Sequence, residues 1–108
     1  MSEAKLDFGK MKGLIPAVVQ DSETGEILML AYQNQKAYEK TLKTNEVYFF
    51  SRSRNELWKK GETSGNVLKV VEITADCDDD SVLIKVKHNE DLKACHTGKR
   101  SCFFRLIK

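Results

Sequence analysis

Two short segments in the last third of the chain carry side chains that bind metal ions. Residues 76–80 read DCDDD and residues 95–102 read CHTGKRSC, and all three cysteines of the chain lie in these segments. Thiolates suit a borderline-soft ion such as Zn²⁺, whereas carboxylates suit a hard ion such as Mg²⁺. The combination indicates hydrolytic metal chemistry.

The acidic segment can bring three carboxylates together. Side chains two residues apart in an extended segment point to the same side, so Asp76, Asp78 and Asp80 share one side and Cys77 faces the other. The alternative is an acidic turn that joins two strands, because Asp is frequent in turns. Four carboxylates this close repel one another, and a bound cation would offset that repulsion.

The cysteines supply three thiolates, the number of protein ligands that a catalytic zinc typically has. Burial as a small apolar side chain is the alternative for any single cysteine, but the polar segment between Cys95 and Cys102 suits a core poorly. The spacing is not that of a zinc finger, so it leaves the choice open. His96 is a candidate zinc ligand or proton carrier, or else an exposed or hydrogen-bonded histidine.

A group of cationic and hydroxyl side chains in the middle of the chain suits phosphate oxygens. Its members are Ser51, Arg52, Ser53, Arg54, Lys59, Lys60, Thr63 and Ser64. The group is no Walker motif, because GK[ST] does not follow its glycines. For Lys59 and Lys60 we favour a solvated loop, for Trp58 packing rather than base stacking, and for His88 exposure in a polar run.

Length and composition indicate one domain, residues 1–108, with a single core: 41% of the residues are hydrophobic. The 18 basic and 16 acidic residues are too balanced to indicate a bulk polyanion as partner. We expect a soluble, cytoplasmic protein with reduced thiols, because nothing in the sequence resembles a signal peptide or a membrane span. The small size favours association with a second copy.

Strands and one helix must position these residues. Residues 14–20 and 26–32 predict a hairpin, with Pro16 restricting the first strand to a sheet edge or a strand start. Asn34 is expected to cap a helix over about residues 35–43. Residues 47–50 predict a buried strand that leads into SRSR, and residues 55–66 are expected to be mostly loop.

The last third predicts further strands. Residues 67–77 and 81–87 read as a pair joined by the acidic turn, with Val82, Ile84 and Val86 on one face, and residues 101–107 are a possible last strand. The expected fold is a small α+β domain with antiparallel β-sheet or sheets and one or two short helices.

Four motifs in one order resemble phosphoribosyl-AMP cyclohydrolase, the ring-opening hydrolase of histidine biosynthesis. They are GLIPAVVQD with GEILMLAY shortly after it, SRSRNELWKKGETSG, DCDDD and CHTGKRSCF, within about residues 13–104. Phe50 stands where the family often has tryptophan, and the segment before CHTG lacks the frequent Gly-Pro. Neither departure removes a proposed ligand, and we expect a monofunctional enzyme.

The resemblance implies two metal cofactors and an intertwined homodimer. The Zn²⁺ ligands, shared between two subunits, would be Cys77, Cys95 and Cys102. The Mg²⁺ ligands would be Asp76, Asp78 and Asp80. Asp79 falls at a permissive position of the family pattern and is left out.

The substrate that the resemblance implies is AMP alkylated at N1 by a phosphoribosyl group. Zinc-bound hydroxide would attack C6 and open the N1–C6 bond, giving the phosphoribosylformimino-aminoimidazole carboxamide ribotide, with His96 moving protons. The expected phosphate-binding residues are Arg52, Arg54, Ser51, Ser53, Thr63, Ser64, Lys99 and Arg100.

Two other functions fit parts of the sequence. A non-catalytic zinc-binding module could hold RNA through SRSRNELWKK, which explains the basic segment but not three acids beside a thiolate. A redox dithiol protein ranks last because the chain has no C-x-x-C. For the hydrolase we expect neither nucleic acid nor membrane as a partner.

Overall fold

A computed structural model describes residues 5–9 and 12–108 of the chain. These residues form one α+β domain with a four-stranded sheet, a two-stranded sheet and one helix. In chain order the elements are β1 (Ile15–Asp21), β2 (Ile27–Gln33), α1 (Gln35–Thr44), β3 (Tyr48–Ser51), β4 (Glu56–Lys59), β5 (Val70–Ala75) and β6 (Val82–Val86). Within the described residues, no helix is long and apolar enough to cross a bilayer.

The larger sheet is mixed, with the strand order β2-β1-β6-β5. β1 pairs antiparallel with β2 but parallel with β6, while β5 and β6 are antiparallel. The prediction of antiparallel sheet is therefore confirmed for these two pairs but wrong for β1 with β6. A parallel pair needs a long crossover, and here α1, the β3–β4 hairpin and β5 separate β1 from β6 along the chain.

The first hairpin follows the prediction closely. Pro16 is the second residue of β1, and the parallel pairing of β1 with β6 begins one residue later, at Ala17. Proline has no backbone N–H, so it is tolerated where the ladder on that side has not begun. Of the two predicted alternatives, the strand start is confirmed, because β1 itself lies inside the sheet.

The predicted helix is confirmed, together with its cap. The Asn34 side chain accepts a hydrogen bond of 2.8 Å from the backbone N–H of Ala37, and the helix ends at Asn45, which is in the left-handed conformation. Buried Thr41 then joins the helix to the strands on either side of it in sequence. Its hydroxyl oxygen accepts from the Gln33 amide at 3.1 Å and from the Tyr48 N–H at 3.0 Å.

The core lies where the two sheets and the helix meet. The alternation predicted for β6 is confirmed, since Val82, Ile84 and Val86 are all buried. Ile15, Ala17 and Val19 of β1, Leu28 and Met29 of β2, Val47, Phe49, Leu68, Leu92 and Ala94 complete the cluster.

Residues 55–66 are mostly turn and loop, as predicted, but they also contain the short strand β4, which pairs with β3. The Trp58 ring packs against the Phe49 ring with their centroids 5.0 Å apart. The possible last strand over residues 101–107 is wrong, because these residues make no strand pairing within the described chain. Beyond Cys102, whose N–H donates to the Leu28 carbonyl, Leu106 and Ile107 are 90% and 99% exposed.

The helix cap gives a test of the fold. Replacing Asn34 with alanine leaves the Ala37 N–H without its side-chain acceptor, so we expect a loss of about 1 kcal/mol in the free energy of unfolding. Asn34→Asp keeps an acceptor and should unfold close to the wild-type midpoint. Urea denaturation followed by circular dichroism measures both, and equal midpoints for the two variants would show that the cap contributes nothing.

Candidate metal and substrate site

The acidic segment forms the turn between β5 and β6. The turn is closed by Asp76, whose carboxylate accepts from the backbone N–H groups of Asp80 at 3.0 Å and Ser81 at 3.2 Å. Asp79, in the left-handed conformation, reverses the chain. One carboxylate oxygen from each of Asp76, Asp78 and Asp80 lies within 4.8 Å of the others. The alternate acids converge as their spacing predicts, although on a turn rather than on an extended strand.

The carboxylates of this turn interact strongly. Hydrogen bonds from Ser81 and Asp80 hold the pKa of Asp76 well below its usual range. The pKa of Asp80 is raised, because its carboxyl group lies within hydrogen-bonding reach of Asp76 and Asp78. Three close carboxylate oxygens on an exposed turn are a donor set that fits a hard divalent cation.

The second segment folds back on itself and brings two thiols together. The N–H groups of Ala94 and Cys95 donate to the carbonyls of Arg100 at 3.0 Å and Lys99 at 3.1 Å. Cys95 is buried, and its thiol lies within hydrogen-bonding reach of Cys102. The Thr97 hydroxyl donates to the Cys95 sulfur at 3.0 Å and lowers the pKa of Cys95. Desolvation and the adjacent Cys95 raise the pKa of Cys102.

The third thiol lies elsewhere in the molecule. Among the described residues, the three aspartates are the only group of three or more potential ligands whose atoms lie within 4.8 Å of one another, so Cys77 does not join Cys95 and Cys102. Cys77 precedes β6, whereas the second segment is fixed at the far end of that five-residue strand. A strand rises about 3.3 Å per residue. One chain therefore presents the thiols as an exposed single thiol and a separate pair.

His96 lies on two adjoining clefts. One, of about 330 Å³, is lined by Lys60, Thr63, Ser64, Cys95 and His96 among others. The other, of about 500 Å³, is lined by Ser51, Ser53, Arg54, Trp58, Lys59, Glu62, Thr63 and His96. The structure thus brings the predicted proton carrier together with five of the eight predicted phosphate-binding residues.

The remaining three phosphate-binding candidates lie outside both clefts. The Arg52 guanidinium stacks over the Tyr32 ring at 4.6 Å from its centroid and lines a separate surface with Leu30 and Phe50. The Lys99 ammonium lies 5.7 Å from the centroid of the Phe104 ring. Arg100 points into the protein rather than toward a cleft, and it contacts Asp21 and Glu26.

Asp21, His88 and Arg100 form an ion cluster that sequence reasoning missed. Asp21 is 1% exposed, and its Oδ2 lies 2.7 Å from His88 Nδ1 and 2.8 Å from Arg100 Nη2. The expectation of a solvated His88 is wrong, because the buried carboxylate holds the ring. Sixty-seven residues separate the two partners in sequence, and no local pattern signals such a pair.

The neighbours of the basic segment also differ from expectation. Lys59 is not solvated, since its ammonium lies 2.7 Å from Glu46, which Lys69 contacts at the same distance. Hydrogen bonds from Lys59 and Lys69 lower the pKa of Glu46 to about 2. Trp58 is packed, as predicted. Lys60 has no ion pair with any residue that the structure describes, and it lines the cleft beside Cys95.

Comparison with known proteins identifies similar sequences over almost the whole chain. Residues 29–104 match the family model described as phosphoribosyl-AMP cyclohydrolase. A phosphoribosyl-AMP cyclohydrolase of Listeria innocua is 59% identical over 95% of this chain and 94% of its own length. Relatives of the same name from Desulfatibacillum aliphaticivorans and Geotalea daltonii are 58% and 57% identical, over 96% and 93% of this chain and 82% and 79% of their own lengths.

The ion cluster predicts a pH dependence of stability. The Asp21 carboxylate raises the pKa of His88 above its ordinary 6.5, so the pair stabilises the fold fully below that value and the gain is lost as pH rises through the raised pKa. Hydrogen bonds that outweigh burial hold the pKa of Asp21 far below its usual range, so its contribution is lost only in strong acid.

We therefore expect the difference in Tm between wild type and His88→Gln to be larger at about pH 5.5 than at about pH 9. Thermal unfolding at matched ionic strength measures it. Lys87→Gln, which changes an exposed neighbour, is the control and should show a constant difference. A His88→Gln difference that is equally large at both pH values would contradict the assignment.

Proposed function

Because this chain belongs to the phosphoribosyl-AMP cyclohydrolase family, we propose that it hydrolyses 1-(5-phosphoribosyl)-AMP at the N1–C6 bond in histidine biosynthesis. The observation that carries the proposal is the position of His96. His96 follows Cys95, the buried thiol of the Cys95–Cys102 pair, in sequence. Its side chain lines two clefts that are also lined by Arg54, Ser51 and Thr63. A metal-ligand pair, a proton carrier and anion-binding donors thus meet in one place.

The donor chemistry of both clusters fits the two metals that the family resemblance implies. Cys95 and Cys102 would hold Zn²⁺ together with Cys77 of another copy, since three thiolates leave a fourth position open. When bound, Zn²⁺ supplies the Lewis acidity that lowers the pKa of a coordinated water to roughly 7. The oxygens of Asp76, Asp78 and Asp80 would hold Mg²⁺.

His96 is the residue we assign to proton transfer. Its side chain is exposed at the junction of the two clefts, next in sequence to a proposed ligand. An imidazole can accept a proton from water and donate one to the ring nitrogen that leaves C6. The packed Trp58 on the same wall gives the cleft an apolar face for the purine.

The substrate carries two phosphate groups, and the larger cleft supplies donors for one of them. We assign Arg54, Ser51, Ser53 and Thr63 to it, with Ser64 in the adjoining cleft, because a guanidinium and hydroxyl groups bind phosphate oxygens well. The Arg54 guanidinium lies 3.7 Å from the carboxylate of exposed Glu56, and such a pair contributes little and can yield to a phosphate. For Arg52 and Lys99, on separate surfaces, phosphate binding stays a weaker proposal.

We further propose a homodimer whose metal ligands come from both subunits. In one chain the exposed thiol of Cys77 stands apart from the Cys95–Cys102 pair. The last six residues present an extended apolar segment, in which Phe103, Leu106 and Ile107 are 64%, 90% and 99% exposed. A second copy that covers this segment would bury apolar surface and could supply the missing thiolate.

The proposed reaction is tested by the ultraviolet absorbance of purified protein mixed with phosphoribosyl-AMP. Ring opening changes the chromophore, so we expect turnover that stops when a strong chelator removes the metals and returns on adding Zn²⁺ with Mg²⁺. A metal-loaded, folded protein that leaves the spectrum unchanged would refute the proposal. A salt-sensitive shift of RNA in a gel would then favour the zinc-binding RNA module.

The same assay separates the residue roles. His96→Gln should lower kcat by about 10²-fold with bound zinc retained, whereas Arg54→Ala should chiefly raise KM. Lys87→Ala removes an exposed cation that lines neither cleft and is the matched control. A His96→Gln protein with full turnover would remove the proton-transfer role, and an unchanged KM for Arg54→Ala would remove that anchor.

Complementation tests the shared ligand set. Cys77→Ser and Cys102→Ser should each be inactive, but in a mixed dimer one of the two sites regains Cys77 from one subunit and both other thiols from its partner. After unfolding and refolding an equal mixture, random pairing should restore about a quarter of wild-type activity. Ligand sets that are complete within one chain would give no recovery, and that result would refute the sharing.

A further inference from the structure

We propose that Arg100 is a positioning residue that, through buried Asp21, holds the Cys95–Cys102 segment in the conformation that pairs its thiols. The inference rests on the proposed function only in treating Cys95 and Cys102 as ligands. It replaces the phosphate-binding role expected for Arg100 from the sequence. His88 and Glu26 complete the set of side chains in contact with it.

The segment depends on such an anchor because it has no helix or strand of its own. Its two arms are joined at the base by the bonds from Ala94 N–H to the Arg100 carbonyl and from Cys95 N–H to the Lys99 carbonyl. Arg100 therefore closes the turn with its backbone while its side chain reaches into the protein. Movement of Arg100 would displace the acceptors that hold Cys95.

The Arg100 guanidinium is fixed in position and orientation by three parts of the fold. Nη2 donates to Asp21 at the end of β1, Nε to Glu26 in the following turn at 2.7 Å, and Nη1 to the carbonyl of Asn89 after β6, also at 2.7 Å. A planar guanidinium that donates in three directions cannot rotate without losing a bond. These contacts also occupy the nitrogens that a phosphate would need.

Asp21 is the fixed point of the cluster. Its Oδ1 accepts from the N–H groups of Glu23 at 2.8 Å and Thr24 at 2.9 Å, and its Oδ2 accepts from Arg100 and His88. A carboxylate this buried is tolerated only when it is paired and hydrogen-bonded. Both oxygens of Asp21 are hydrogen-bonded. The position of Asp21 at the end of β1 therefore fixes where Arg100, and with it the Cys95–Cys102 segment, can lie.

The two thiols depend on the anchor to different degrees. The Cys102 arm has anchors of its own, since the Ser101 hydroxyl donates to the Ile27 carbonyl at 2.7 Å and Cys102 N–H to the Leu28 carbonyl at 2.8 Å. The Cys95 arm is held by the burial of Ala94 and by the two bonds to residues 99 and 100. Loss of Arg100 should therefore affect Cys95 more than Cys102.

The test measures alkylation of each cysteine by iodoacetamide in metal-free, full-length protein, with the modified peptides quantified by mass spectrometry. In Arg100→Gln, local opening should speed modification of buried Cys95 by about tenfold or more, with exposed Cys77 as the internal reference. Asn34→Ala, destabilised far from the segment, and Glu72→Gln, which removes an exposed ion pair with Lys85, should leave the Cys95 rate unchanged. An unchanged rate in Arg100→Gln, or an equal rise in Asn34→Ala, would overturn the proposal.

Cobalt binding and turnover provide independent readouts. We expect Arg100→Gln to bind Co²⁺ about tenfold more weakly, by the visible absorption of the thiolate complex, and to regain kcat at saturating metal with KM unchanged. A raised KM in Arg100→Gln, with Cys95 reactivity and Co²⁺ affinity unchanged, would support phosphate binding by Arg100 and overturn the proposed positioning role. If the Cys95 alkylation rates of wild type and Arg100→Gln differ as expected but the wild type shows no turnover, the proposed function is refuted and the positioning role of Arg100 is retained. Should Arg100→Gln not fold, Arg100→Lys can keep the Asp21 ion pair but loses the bonds to Glu26 and Asn89, so it should still speed Cys95 modification. An unchanged Cys95 rate in that variant would overturn the proposal.

Discussion

The parallel pairing of β1 with β6 is the constraint on which the rest of the structure depends. Its register places Asp21 opposite Val86, so the chain that leaves β6 passes directly beside the end of β1. His88 and then Arg100 meet Asp21 there, and the thiol pair is fixed at that end of the sheet. The acidic turn, which precedes β6, is left at the other end. The pairing that fixes Cys95 and Cys102 at one end of the sheet thus keeps Cys77 of the same chain away from them.

The cationic side chains fall into two groups: those paired with a carboxylate inside the fold and those that line a cleft. Arg100, His88 and Lys59 each meet a carboxylate at 2.7–2.8 Å. Arg54 and His96 instead line an open cleft, and the partner of Arg54, Glu56, is exposed and 3.7 Å away. Exposed pairs add little to stability, whereas a buried carboxylate must keep its partners. The cations that the fold has already neutralised are therefore poor candidates for substrate binding.

Local patterns in the sequence predict much of the fold. The first hairpin, the Asn34 cap, the β6 alternation and the packed Trp58 follow from turn residues, capping chemistry and side-chain periodicity. The short strand β4 was missed, because its polar, glycine-flanked sequence resembles a loop until Trp58 meets Phe49. Residues 101–107 were expected as a possible last strand, but they make no strand pairing within the described residues.

The sequence by itself determined which chemistry is present: three thiols, alternating carboxylates, a histidine beside a thiol and a group of anion-binding donors, in an order that resembles one enzyme family. These are properties of residue type and short spacing, so they do not depend on how the chain folds. Only the tertiary structure decided that two thiols pair without the third and that Arg100 faces Asp21 rather than a cleft. Those outcomes depend on contacts between residues far apart in the chain, set by strand register and by the burial of a single carboxylate.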